Sequence, residues 1–274
     1  MGHFLHQVRV LTFEEIREIF GRRRSLISLV LYVVFLGLML SSFRSLAANA
    51  SRIAGTDDLR GRTLDRMLEQ LNNAGATEAA DILMHWPFAV ITFQLLCLFC
   101  FPSLVSLVSC DMISTDSYRG TLRLLMLRCS RQAYYLSKLI AHVSIYVLLQ
   151  AISFMALYLI CATATDFSTS GFFEASLHYI DVFIPFMLFL VSGTEFVSGF
   201  CRRPATALFG VHILWIVLLT LTFRFPDLTP FHWRALLGLI LPSGEYALDC
   251  VLRMGLWTVG FTVVGLGIFL RREL

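Results

Sequence analysis
Long apolar runs alternate with short polar ones along the whole chain. Ser25–Phe43, Trp86–Cys110, Leu139–Ala164, Tyr179–Phe200, Ala205–Phe223 and Val251–Leu270 are each apolar and nearly free of charge. Crossing a hydrocarbon core of roughly 30 Å takes ~20 helical residues, and each run meets that length. Pro87 opens the second run, and Pro102 inside it predicts a kink. The pattern predicts an all-α integral membrane protein with six transmembrane helices.

The polar segments between these runs are not alike. In residues 4–24, Phe13, Ile16 and Phe20 fall on one helical face, with Leu5 and Val8 ahead of them, while Glu14, Arg17 and Glu18 point elsewhere. Closed by Arg22–Arg24, this segment predicts an amphipathic helix lying in the membrane interface. Residues 44–86 are the largest stretch outside the spans. Leu64, Met67, Leu68 and Leu71 repeat there at helical spacing, and Asn72–Gly75 interrupts them, which predicts two short helices too small to hold a core of their own. Ala48-Asn49-Ala50 resembles a leader cleavage site, but the preceding apolar run is long for a leader and reads as a retained span. Residues 165–178 contain no Lys or Arg and read as an outer loop. Residues 224–250 are broken by Pro226, Pro230 and Pro242 around the apolar Trp233–Leu241, which predicts a short re-entrant hairpin on the outer side. Basic residues mark the N-terminus, the 111–138 segment, the Arg202-Arg203-Pro204 turn and Arg271-Arg272. The positive-inside rule then places both termini in the cytosol, with residues 44–86 outside.

Composition agrees: 57% of the 274 residues are hydrophobic and 15% charged, with a mean hydropathy of +0.73. The net charge of +3 is small, and the basic residues sit at span ends. A nucleic-acid interface is therefore excluded as a class. The seven cysteines fall mostly in apolar runs, where Cys97-x-x-Cys100 reads as packing; a Cys161–Cys250 disulfide is left open by the sequence. No G-x-x-x-x-G-K-[ST] and no H-E-x-x-H occurs, and His142, His178, His212 and His232 are scattered one per segment. Neither a bound nucleotide nor a metal is expected in this chain. Glu195 stands inside the fourth apolar run about two turns from Arg202. Burying a charge in lipid costs about 2.5–3.5 kcal/mol on insertion scales, so Glu195 lies either at the inner interface or along a route or subunit contact.

The segment Asp111–Lys138 is the longest polar stretch between two spans on the inner side. Leu122, Leu125 and Met126 follow one helical face, broadened by Leu124 and Leu127. Arg128-Cys129-Ser130 predicts a break, with Ser130 as the N-cap of a helix running through Tyr134 and Tyr135 into the third span. Asp111, Asp116, Gly120-Thr121-Leu122, Leu124-Leu125-Met126, Ser130-Arg131 and Lys138 together resemble the permease subunits of type-2 ABC exporters. The initial amphipathic helix and a broken hairpin with Pro242 and Tyr246 before the last span are similar as well. Two departures stand out: the family usually has Glu at the place of Asp116, and a Pro-aliphatic pair where this chain has Cys129.

The resemblance implies a single permease domain, residues 1–274, without a catalytic site of its own. In the family, the 111–138 segment forms a coupling helix seated in a groove of a separate cytosolic ATPase, which carries the ATP and Mg. Asp111, Asp116, Gly120, Thr121, Leu122, Arg123, Leu124, Leu125, Met126, Arg131 and Lys138 are the residues it implicates in that coupling. It also implies a second copy of this chain or a similar permease, meeting through the first, second and fifth spans. Residues 44–86 are left for an extracytoplasmic partner, and the setting is the cell membrane. Two alternatives remain: a permease-like subunit that transmits force to an outer partner without moving a solute, and an autonomous membrane enzyme using Glu195 and a histidine.

Overall fold
The computed structural model describes residues 2–21, 26–34, 36–38, 41, 69–70, 72–73, 88–164, 169–240 and 244–271. Every regular element among them is helical: α1 (Gly2–Gly21), α2 (Leu26–Leu38), α3 (Phe88–Ser109), α4 (Ser114–Arg119), α5 (Thr121–Met126), α6 (Arg131–Ala164), α7 (Thr169–Phe200), α8 (Pro204–Arg224), a 3-10 turn (Pro226–Leu228), α9 (Trp233–Ile240) and α10 (Gly244–Arg271). Five stretches are long and apolar enough to cross a bilayer: Phe93–Arg119, Arg131–Leu159, Ser176–Phe200, Pro204–Arg224 and Tyr246–Arg271. The chain is thus a multi-pass, all-α membrane protein. α2 is apolar but falls below that length in its described part. The short helices expected within 44–86 lie outside the described residues, apart from 69–70 and 72–73.

α7 is the centre of the bundle, packing on α3, α6, α8 and most extensively on α10, while α6 also carries α1. Between helices surrounded by lipid, cohesion comes from close van der Waals packing rather than from expelling water. Large rings supply it here. Phe101 of α3 meets Phe183 of α7 edge-on at 4.9 Å, and Phe189 of α7 lies 5.5 Å from Trp215 of α8 and 6.0 Å from Phe261 of α10. Pro102 lies inside α3; one turn on, Ser106 donates to the Pro102 carbonyl and accepts from Trp215 Nε1, tying α3 to α8.

Two boundaries and the facing of one helix differ from the sequence expectation. α7 begins at Thr169, so most of the region read as a loop at 165–178 is helix. Its freedom from Lys and Arg reports location, not backbone conformation. α10 begins at Gly244, well before Val251. The third difference lies in α1, whose face with Leu5, Phe13 and Phe20 is exposed, whereas Val8, Glu15 and Ile19 turn inward against the bundle. The amphipathic helix is present, but it has two apolar sides. Of the face read as the main one, Leu5, Phe13 and Phe20 are exposed, while Ile16 is half-buried against the core and Val8 is buried.

The region 224–250 is broken as expected: α8 ends at Arg224, the 3-10 turn follows, and α9 precedes α10, while Pro242 lies outside the described residues. α9 can approach α10 because Gly238 has no side chain; a Cβ there would overlap the Tyr246 carbonyl, which is main chain and cannot swing aside. Gly238→Ala should therefore force the two helices apart and lower stability by about 1–3 kcal/mol. Thermal unfolding in detergent checks this, and an unchanged midpoint would contradict the close approach.

Candidate functional site
The two short helices α4 and α5 meet at Gly120, whose φ of 74° is left-handed and unstrained only for glycine. A right-handed residue there would extend one straight helix; the glycine lets the chain turn instead. Thr121 braces the corner, its hydroxyl donating to the Asp116 carbonyl at 3.2 Å. α5 ends at Met126, and the break at Arg128-Cys129-Ser130 is present. Ser130 caps α6 as its type predicts, its hydroxyl accepting from Ala133 N–H at 3.2 Å. Cys129 is half-buried and donates to the Leu125 carbonyl. Burial pushes its thiol up from the ordinary range, which keeps it protonated and poorly nucleophilic.

Beneath α4 lies a buried ionic knot. Lys138 of α6 donates to Asp116 of α4 at 2.9 Å and to Glu15 of α1, and all three side chains are nearly closed to solvent. Tyr134, one turn before Lys138, donates its hydroxyl to the same Asp116 oxygen at 2.5 Å, with the Lys138 ammonium 5.2 Å from its ring centre. One turn beyond Lys138, His142 Nε2 lies 3.4 Å from Glu15. His142 Nδ1 meets Ser109 of α3 at 2.7 Å, and Ser109 in turn meets Tyr146 at 2.6 Å. Tyr134, Lys138, His142 and Tyr146 are spaced at i, i+4, so one stripe of α6 carries the whole array. Ser198 of α7 adds a second tie: its hydroxyl accepts the main-chain N–H groups of Ile113 and Ser114 at 3.0 and 3.1 Å. Those donors open α4 and have no partner inside it. α4 is thereby fixed to two spans, through Asp116 to α6 and through its own N-terminus to α7.

The implicated residues consequently split into two groups. Asp116 and Lys138 are buried against each other, and Leu122, at 1% exposure, belongs to the core. None of these three can touch another protein. This corrects the expectation that Leu122 shares a free docking face with Leu125 and Met126, which are themselves half-buried against the core. A helix as short as α5 must bury one side simply to stay formed, so only its opposite side is open. There Leu124 and Leu127 stand 65% and 84% exposed, flanked by exposed Gly120, Thr121 and Arg123. Asp111 is half-buried and accepts from Thr115, while Arg131 donates to the Leu270 carbonyl at the end of α10. A cleft of about 450 Å³ separates α5 from α1, with Glu14 and Glu18 on one side, Arg119 and Arg128 on the other, and Lys138 in its floor.

Glu195 of α7 has 0% exposure, and among the described residues neither carboxylate oxygen has a hydrogen-bond partner. It lies within electrostatic reach of Lys138, Glu15 and the Tyr135 hydroxyl. Glu195 thus faces the interior of its own bundle rather than solvent or an outward surface of the single chain. Glu15 is the site residue that sequence reasoning missed. Its trace in the sequence is that Val8, Glu15 and Ile19 share a face on which Glu15 alone is charged, but nothing local says that this face turns inward. Among the described residues, no three His, Cys, Asp or Glu side chains are arranged to hold a metal ion. Cys250 is a buried free thiol. In comparison with known proteins, no family model and no curated sequence matches this chain.

Asp116 and Glu15 share the Lys138 ammonium, Ser109 joins His142 to Tyr146, and the exposed portion is apolar flanked by arginine. Such an arrangement joins surface helices to spans.

Proposed function
We propose that this chain is the membrane-spanning permease subunit of an ATP-driven ABC exporter, working with a separate cytosolic ATPase and a second copy of itself or a similar permease. The observation that carries the reading is the knot of Glu15, Asp116 and Lys138, which makes α1, α4 and α6 one mechanical unit. A partner pressing on the exposed Leu124–Leu127 side of α5 moves α4, and α4 cannot move without α6 and α7. Rigid-body motion of a cytosolic subunit reaches the spans by that path. Leu124 and Leu127 provide the contact, Arg123 and the neighbouring arginines steer it, and Asp116, Lys138 and Glu15 transmit it. In this reading the run Ser25–Phe43 completes a set of six spans, both termini face the cytosol, α9 dips into the outer membrane edge, and residues 44–86 lie outside. The membrane is the cell's cytoplasmic membrane.

The reading requires α4–α5 to face the ATPase side. In a cysteine-free background in intact cells, a membrane-impermeant thiol reagent should label a cysteine at Asn73 and spare one at Ser117. Labelling at Ser117 with none at Asn73 would invert the topology and remove the contact with a cytosolic partner.

A further inference from the structure
At the end of the bundle opposite the knot, a groove of about 470 Å³ runs along the first turns of α10 beside the 3-10 turn. One end is charged and the other apolar. At the charged end, Arg253 donates through Nε to both oxygens of Asp249, at 2.9 and 2.8 Å, and through Nη1 to the Asp227 main-chain carbonyl. Among the described residues, Nη2 has no acceptor. The Asp227 carboxylate is 87% exposed and, among the described residues, reaches the His232 ring at 3.8 Å. At the apolar end, Leu252 and Leu256 are exposed, Gly260 keeps the wall low, and Trp257 is held upright by donating to the Leu228 carbonyl at 3.0 Å.

Arg253 stands seven residues inside the span Tyr246–Arg271. At 1.5 Å per residue that is roughly 10 Å from the span's end, within its terminal third. A charge at that depth is costly unless it is paired; Asp249 engages Arg253 through Nε alone, which leaves the outer guanidinium nitrogens to a carbonyl and a ligand. We propose that the groove binds one phospholipid with a primary-amine headgroup. The phosphodiester takes the open Nη2 of Arg253, the ammonium takes Asp227, and an acyl chain lies over Leu252, Leu256 and Gly260. A quaternary ammonium has no N–H to give Asp227, and an anionic headgroup meets two carboxylates. The amine zwitterion is the one common headgroup that satisfies both ends.

Trp257 supplies the readout. The full chain in mixed micelles is titrated with brominated phosphatidylethanolamine, phosphatidylcholine or phosphatidylglycerol, and the Trp257 signal is taken as wild type minus Trp257→Phe. The ethanolamine lipid should quench at about tenfold lower mole fraction than the other two, the gain of a charge-assisted hydrogen bond. Arg253→Gln and, because that variant also loosens the turn, the exposed Asp227→Asn should each abolish the preference. Soluble phosphoethanolamine should not compete, since it lacks the acyl chain. Equal quenching by all three lipids, a preference that survives Asp227→Asn, or competition by phosphoethanolamine would each overturn the assignment.

Discussion

Lys138→Met should destabilise the folded chain by about 3–5 kcal/mol. Lys138 is the ammonium that Glu15 and Asp116 share inside the helices. Removing it leaves two carboxylates facing each other in a medium that hydrates neither. Tyr134 can stabilise only the Asp116 oxygen it already serves, and His142, 3.4 Å from Glu15, only the other carboxylate. Methionine nearly matches the length of the lysine stem, so lost packing contributes little. The charge origin can be isolated by neutralising the partners as well. Combining Glu15→Gln and Asp116→Asn with Lys138→Met should recover most of the loss, because replacing a whole buried ionic group is often close to neutral. Thermal or denaturant unfolding of the purified variants measures both effects. If the triple variant is no more stable than Lys138→Met alone, the knot holds by shape and not by charge.

The length and apolarity of the runs made the span helices legible in the sequence, because lipid leaves a backbone no alternative to internal hydrogen bonding. The Ser130 cap and the break before it were legible for a local reason: both are set by a few consecutive residues. Glu15 was not. Ranking the faces of α1 by their largest side chains chose Phe13 and Phe20, yet a helix at the membrane interface can leave its bulky side to lipid and bury a smaller one. Which side turns inward depends on Lys138 and His142, distant in sequence. Leu122 misled for a related reason. Its spacing from Leu125 and Met126 is helical, but periodicity cannot say whether an apolar stripe meets its own core or a partner. Glu195 was singled out correctly as unusual, while its direction depended on how α7 is rotated against α6 and α10.

Leu127→Asp should abolish capture of the ATPase while leaving the chain folded in the membrane. Leu127 is 84% exposed, so in the free chain an aspartate there meets water and costs little. Seated in a partner's groove, the same carboxylate would be desolvated without a counter-charge, a penalty of about 1–3 kcal/mol, on top of the leucine burial forfeited. Together these exceed about 3 kcal/mol, on the order of a hundredfold or more in affinity. Leu124→Asp, on the same side at 65% exposure, should behave alike. Leu122→Asp should differ in kind: at 1% exposure it places a charge in the protein's own core, and the chain itself should be lost. Arg123→Ala should weaken capture only slightly, since an exposed ion pair contributes about 0–1 kcal/mol. The deciding measurement is affinity purification of tagged wild type, Leu127→Asp and Arg123→Ala from native membranes at equal expression, followed by quantification of the co-purifying ATPase. An ATPase present with wild type and Arg123→Ala but missing with Leu127→Asp is the predicted result; equal ATPase with all three, or none with wild type, contradicts it.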